Sequence, residues 1–227
     1  MIQQKFAFAD FARPLFSANV AIGWADPTAP MPRLVGDEVF AIEHVTAARA
    51  REFAAGRAAA RMAMENLGHA PRPILQGEDR APIWPVGLTG SITHTSRDAL
   101  AVVTDDPTIR ALGIDMEPST PLEPDLWRAI CTQDDLLWLA RLGPSQRGHF
   151  AKLIFSAKEA FYKAQYQISG TLIDFRDVDL SPDLSTSRFV ARLRRDVPGL
   201  AAGTCMQGRF ALLGQSLVTA VEWPAAR

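Results

Sequence analysis

Cysteine is nearly missing: Cys131 and Cys205 are the two in 227 residues. Two thiols build neither a disulfide framework nor a four-ligand zinc site. No run of 18 or more apolar residues occurs, so a hydrophobic membrane-spanning helix is not expected. The N-terminus (Met1-Ile2-Gln3-Gln4-Lys5, then Phe6 to Phe11 broken by Asp10) lacks the apolar core of a secretion signal, which points to a cytoplasmic protein. An excess of one charge is missing too, since 24 Lys+Arg against 25 Asp+Glu leave a net charge of −1. A nucleic-acid binder needs clustered positive excess to release counterions, so none is expected, although the balance leaves room for one basic pocket. What remains is 48% hydrophobic and 22% charged residues, the composition of a globular chain with a real core. The length suits one large domain or two small ones.

Along the chain, residues 1–40 read as short strands and loops. From His44 to Leu67 the pattern turns helical, with Phe53, Ala60, Met64 and Leu67 on one stripe and Gly68 at the stop. Seven Pro and Gly between Pro71 and Gly90 predict an irregular connection. Leu88 to His94, Ala99 to Thr104 and Ile109 to Met116 read as strands, the first two joined by the turn Thr95-Ser96-Arg97-Asp98. Residues 125–142 and 145–168 read as helices, the second carrying Phe150, Ile154, Ala157, Phe161 and Ala164 at spacings of 4, 3, 4 and 3. Segments 175–181, 188–195, 204–213 and 217–223 read as strands. Helices followed by strands, twice over, predict an α+β fold with a break near 105–110. No repeat and no low-complexity tract is evident.

Three segments carry unusual polar residues. In Gly113-Ile114-Asp115-Met116-Glu117 the two carboxylates stand at i and i+2 of a strand, on one face and roughly 7 Å apart. Like charges so placed need a cation or a basic group to neutralise them, and hard oxygen ligands suit Mg²⁺; a solvated strand end before Pro118 is the plainer alternative. In Phe155-Ser156-Ala157-Lys158-Glu159-Ala160-Phe161-Tyr162-Lys163-Ala164, Glu159 and Lys163 are four apart on a helix. They are either a solvated pair worth a few tenths of a kcal/mol, or a base or metal ligand beside a phosphate contact. Lys152, Ser156, Glu159 and Lys163 form one stripe. In Gly90-Ser91-Ile92-Thr93-His94, alternation puts Ser91 and Thr93 on one face and Ile92 and His94 on the other. A strand-end histidine can meet a phosphate or be structural.

Taken together, in this order and at this spacing, the three blocks resemble the 4′-phosphopantetheinyl transferases, and within them the branch of enterobactin synthase component D. Arg51-Glu52-Phe53 with Gly56-Arg57, and Pro82 with Trp84-Pro85, extend the likeness over roughly residues 45–220. The resemblance implies transfer of the 4′-phosphopantetheine arm of coenzyme A to a serine of an acyl, peptidyl or aryl carrier protein, with release of adenosine 3′,5′-bisphosphate. Siderophore synthesis is the setting that this branch suggests. The implied fold is α+β, with two similar subdomains in pseudo-twofold arrangement: an N-terminal subdomain, residues 1–107, on the coenzyme A side, and a C-terminal one, residues 108–227, on the Mg²⁺ and catalytic side.

By the same resemblance Asp115, Glu117 and Glu159 hold Mg²⁺. Glu159 is the expected base and Lys163 the group that neutralises the leaving phosphate, while the division between ligand and base stays open. Arg49, Arg57, Ser91, Thr93, His94 and Lys163 are expected to bind coenzyme A. Relatives often carry a basic residue where this chain has Gln76, so Arg80 is the expected substitute. Arg51 and Arg61 read as solvated, with Arg61 paired to Glu65. Trp84 and Trp127 read as packing residues. Lys152 and Arg147, with Arg141, read as a basic face for an acidic carrier protein. A site complete within one chain points to a monomer. The rival readings are a silent coenzyme A or carrier-protein binder, disfavoured because Asp115, Glu117, Glu159 and Lys163 are all present, and a metal-dependent nuclease, disfavoured by the charge balance.

Overall fold

The computed structural model describes residues 11–225, so residues 1–10, on which the missing secretion signal was read, lie outside the described residues. It is a mixed α+β protein whose contacts divide into two compact units, the first running to Leu112 and taking in Ala225, the second spanning Gly113–Pro224. Among the described residues no helix is long and apolar enough to cross a membrane.

The first unit is built from β1 (Ala21–Ala25), α1 (Ala47–Asn66), the short hairpin of β2 (Leu75–Gln76) and β3 (Pro82–Ile83), β4 (Thr89–His94) and β5 (Ala99–Thr104). The last three expected elements here are nearly as read. β1, β5 and β4 make an antiparallel sheet in that order, with Ala21 opposite Val103 and His94 opposite Ala99. α1 begins where Thr46 accepts a hydrogen bond from the Arg49 amide, and lies on the sheet through its small residues. Ala59, Ala60, Ala63 and Met64 pack with Ala21, Ala101 and Val103. The approach is close: a Cβ on Gly23 would stand 1.9 Å from the Ala59 carbonyl oxygen. Within the stretch read as an irregular connection, the β2–β3 hairpin is the one regular piece; Trp84 packs against the core, as read.

Arg61 corrects the sequence reading. It does not pair with Glu65 on a wet face; its guanidinium meets both carboxylate oxygens of Glu38 at 2.8 Å, and also the Arg33 carbonyl at 3.0 Å. Glu38, in the 3₁₀ segment Gly36–Ile42, is buried and also accepts the amides of Val35 and Ile74. Helical spacing gave no hint of a partner 23 positions upstream. Removing one member of a buried pair leaves the other charge uncompensated, so Arg61→Met is expected to cost about 3 kcal/mol of stability. Urea unfolding reads this directly, and an unchanged midpoint would mean that Glu38 finds its neutralisation elsewhere.

The second unit takes most of β6 (Ile109–Pro118), then α2 (Pro124–Ile130), α3 (Gln133–Ala140), α4 (Pro144–Ser169), β7 (Val178–Asp183), β8 (Arg188–Leu193), β9 (Cys205–Leu213) and β10 (Ser216–Pro224). The sheet order is β6-β10-β9-β8-β7, and α4 lies against β10 with Phe161 on Trp223, ring centroids 5.7 Å apart. The helix read over 125–142 is two helices. Thr132 and Asp135 form a capping box that starts α3 afresh, so the backbone leaves the helical path at Cys131. Residues 175–177, read as strand, are a 3₁₀ turn capped by Asp174. α4 ends at Gly170, whose φ of 60° is the left-handed stop that glycine takes without strain.

Candidate active site

β6 passes under α4 with unusual intimacy. Gly113 has no side chain, and a Cβ there would lie 1.8 Å from the carbonyl oxygen of Ala160. That contact sets Asp115, two residues on, against the stripe of α4 that carries Ser156 and Lys163.

Asp115 is nearly buried, its side chain 8% exposed. Its Oδ1 accepts from Lys163 Nζ at 2.7 Å, and its Oδ2 from the Ser156 hydroxyl at 2.8 Å. Lys163 also donates to the Ile114 carbonyl at 3.0 Å. The Thr219 hydroxyl donates to the Ser156 carbonyl at 2.9 Å, so β10 braces the same point from behind. Glu117 Oε2 accepts from Lys152 Nζ at 3.0 Å. The helical stripe is therefore real, but it is not a solvated face. It lies along the two strand carboxylates, and the ammonium of Lys163 goes to Asp115 across the fold.

Glu159 stands among like charges. Burial raises its pKa from the ordinary carboxylate range; Lys163 opposes that, and Asp115 and Glu117 push it further up. Such a carboxylate holds a proton more tightly than a surface glutamate, which suits a general base working near neutrality. Beside it opens a slot of about 190 Å³, lined by Tyr162, Ile173, Phe175 and Val178 together with Lys158 and Asp174. Three carboxylates that feel one another offer the hard oxygen donors that Mg²⁺ takes, so the residue types fit that ion. Among the described residues, no three His, Cys, Asp or Glu side chains already stand in a metal-holding arrangement; Asp115 and Glu117 are each engaged by a lysine.

Of the basic residues expected to bind coenzyme A, all but Lys163 lie in the first unit, and only some of those meet. Arg49, half exposed near the start of α1, contacts His94 at the end of β4, and both reach Glu52 Oε2, at 3.4 and 3.5 Å. A cleft of about 940 Å³ opens beside them, between the Pro27–Met31 loop and the first turns of α1, with Arg51, Glu52 and Ser96 in its wall. Arg57 is buried under the hairpin. Its Nε donates to the Ile74 carbonyl at 2.7 Å, its guanidinium sits 4.2 Å over the Phe53 ring, and burial lowers its pKa to about 10. Ser91 and Thr93 are buried, while Ile92 and His94 are half buried on the face toward α1, where Ile92 would meet a Cβ on Gly56. Alternation thus separates Ser91 and Thr93 from the Arg49–His94 group. Arg80 stands exposed at the hairpin tip with φ of 68°, and the Gln76 side chain donates to its carbonyl at 3.3 Å.

Two of the three residues read as a basic face for a carrier protein, Lys152 and Arg147, are engaged within the fold. Lys152 serves Glu117, and Arg147 donates to the carbonyls of Leu142 and Ala140, closing the C-terminal end of α3. Trp127 donates to the Leu122 carbonyl at 3.0 Å, a packing role as read. Cys131 offers no nucleophile, because burial pushes its thiol up to about 12. Sequence reasoning missed Thr219, which no motif marks, and gave Ser156 a place on the stripe without a role.

The sequence matches known protein families over most of its length. The profile of the 4′-phosphopantetheinyl transferase N-terminal domain matches residues 37–104, and that of the 4′-phosphopantetheinyl transferase superfamily matches residues 111–207. The chain is 35% identical over 200 residues to 4′-phosphopantetheinyl transferase Svp of Streptomyces mobaraensis, covering 86% of this chain and 80% of that one. It is 32% identical over 204 residues to 4′-phosphopantetheinyl transferase PptT of Mycobacterium tuberculosis, covering 87% and 88%. Enterobactin synthase component D of Escherichia coli is 35% identical over 138 residues, 60% of this chain and 64% of that protein.

Proposed function

The chain belongs to the 4′-phosphopantetheinyl transferase superfamily, and from that premise we propose that it takes the 4′-phosphopantetheine arm from coenzyme A and places it on a serine of an apo carrier protein. The observation that carries this reading is the convergence of Asp115, Ser156 and Lys163 beside Glu117 and the raised-pKa Glu159.

The serine hydroxyl oxygen attacks the β-phosphorus of the coenzyme A pyrophosphate, and the bond from that phosphorus to the bridging oxygen breaks. Adenosine 3′,5′-bisphosphate leaves with the bonding electrons. A serine hydroxyl is a weak nucleophile at neutral pH, and Glu159 takes its proton. Lys163 supplies positive charge where the leaving phosphate gains negative charge. Asp115 and Glu117 would hold Mg²⁺, with Glu159 as a third donor. Bound there, the ion would neutralise the pyrophosphate and lower the cost of the departing charge. The rest is positioning, which carries most of phosphoryl-type transfer. The apolar slot beside Glu159 suits the uncharged end of the arm.

In the first unit, Arg49 and His94 beside the open cleft suit the nucleotide's 3′-phosphate, for which a guanidinium is the natural partner. Arg57, the other arginine expected there, is held by the Ile74 and Leu75 carbonyls. Arg49→Ala is expected to raise the KM for coenzyme A about tenfold or more, the worth of one charged hydrogen bond, with a smaller effect on kcat. Dephospho-coenzyme A should then serve wild type poorly and the variant no worse than coenzyme A does. A variant that keeps the wild-type preference for coenzyme A moves the 3′-phosphate elsewhere.

The likeness to enterobactin synthase component D supports a carrier in siderophore or other secondary-metabolite synthesis. The deciding experiment incubates the protein with coenzyme A, Mg²⁺ and separate apo acyl, peptidyl and aryl carrier proteins, and reads the intact mass of each. A phosphopantetheine adduct on peptidyl or aryl carriers is the expected result. No adduct on any of them would overturn the transferase reading, and an adduct on the acyl carrier alone would overturn the siderophore assignment.

A further inference from the structure

Lys158 precedes Glu159 on α4 and turns into the interior, where 2% of it is exposed. Its Nζ donates to Asp135 Oδ2 at 2.5 Å, to the Ile130 carbonyl at 2.9 Å and to the Phe175 carbonyl at 2.9 Å. An ammonium has three hydrogens, and all three are taken. Asp135 is equally enclosed and equally busy: Oδ1 accepts the Leu180 amide at 2.9 Å, and Oδ2 the Thr132 amide at 2.8 Å. One ion pair thus ties α4 to the last turn of α2, the cap of α3, the 3₁₀ turn at Phe175 and strand β7.

Stability alone does not require this. The desolvation of two charges largely cancels their attraction, and a matched apolar pair commonly does as well. What the pair supplies is geometry. Because it grips α4 at the residue next to Glu159, it fixes the helix rotation that decides where the Glu159 carboxylate points. Because it grips the Phe175 carbonyl, it holds the Phe175 ring against Phe155, centroids 5.4 Å apart, and so sets one wall of the slot beside Glu159.

We propose that Lys158 and Asp135 are a positioning pair for the transfer reaction, orienting Glu159 and fixing the width of the slot. The proposal rests on the transferase reading above. It is distinguished from a purely stabilising role by comparing Lys158→Met with the double variant Asp135→Asn/Lys158→Met. The single variant leaves a carboxylate buried and unpaired and should melt far below wild type; the double variant removes both charges and should recover part of that loss, the remainder reflecting the amide acceptor that asparagine gives up at Thr132 or Leu180. The double variant, although folded, is expected to show kcat at least tenfold below wild type, a KM for coenzyme A several-fold higher and an unchanged KM for the carrier protein. Hydrogen exchange should quicken at the amides of residues 171–178 and leave α1 untouched. If kcat and exchange return to wild-type values along with the melting temperature, the pair only stabilises the fold and the proposal fails. If the single variant does not fold, the double variant decides alone. Wild-type protein that modifies no carrier would sink the transferase reading, whereas the exchange pattern reports on the pair in either case.

Discussion

Asp115→Ala should fold and be almost inert, with transfer slowed on the order of a thousandfold or more, as expected when a buried group that organises charge around a reacting phosphate is lost. The fold should tolerate the change because the partners it strands are not trapped. Lys163 is 25% exposed and can turn to water, and the Ser156 hydroxyl has the Thr219 hydroxyl 2.9 Å away. The stability cost should be about 1–3 kcal/mol, that of two interrupted hydrogen bonds. Asp115→Asn sharpens the test, since it keeps the shape and one acceptor oxygen, for Lys163, and puts an amide donor toward the Ser156 hydroxyl, while removing the charge. If charge is what matters, it should be nearly as slow as the alanine variant. Single-turnover transfer followed by intact mass, with circular dichroism to certify folding, decides the matter. Turnover within tenfold of wild type in either variant would remove Asp115 from the chemistry.

Much of this site was legible because its chemistry is written in short local patterns. A strand places Asp115 and Glu117 on one face by period, and a helix places Lys152, Ser156, Glu159 and Lys163 on one stripe by period. What periodicity does not reveal is which element faces which. The Glu159–Lys163 spacing alone reads as a surface pair, but Gly113 lets α4 descend onto β6, and Lys163 bonds to Asp115 while its charge still bears on Glu159. Arg61 found Glu38 and Lys158 found Asp135 for the same reason, since both partners are more than 20 residues away and no local rule joins them. The one misjudged helix, over 125–142, failed at Thr132. Its capping box with Asp135 is present in the sequence as Thr-Gln-Asp-Asp, and passing over that box makes 125–142 one continuous helix.

Gly113→Ala is the substitution expected to damage the fold most. The added carbon would sit 1.8 Å from the Ala160 carbonyl oxygen, 2.8 Å from its carbon and 3.3 Å from the Ala164 Cβ. No rotamer relieves a clash between a Cβ and a main chain, so α4 must move off β6 by more than an ångström. That opens the contact across which Lys163 and Ser156 reach Asp115, and it lifts Phe161 from Trp223. Overpacking of this severity should cost about 4 kcal/mol or more, which for a chain of this size is a fall in Tm of roughly 10 °C or more. Gly143→Ala is the internal control: the same methyl there meets only the Gln146 side chain, at 3.4 Å, and φ is −59°. Its effect should stay within about 1 kcal/mol, the usual scale at a helix N-cap. Thermal melts of both variants side by side test the packing. A Gly113→Ala protein that melts with wild type, and still transfers, would show that α4 does not rest on β6 at this glycine and that the site is held together some other way.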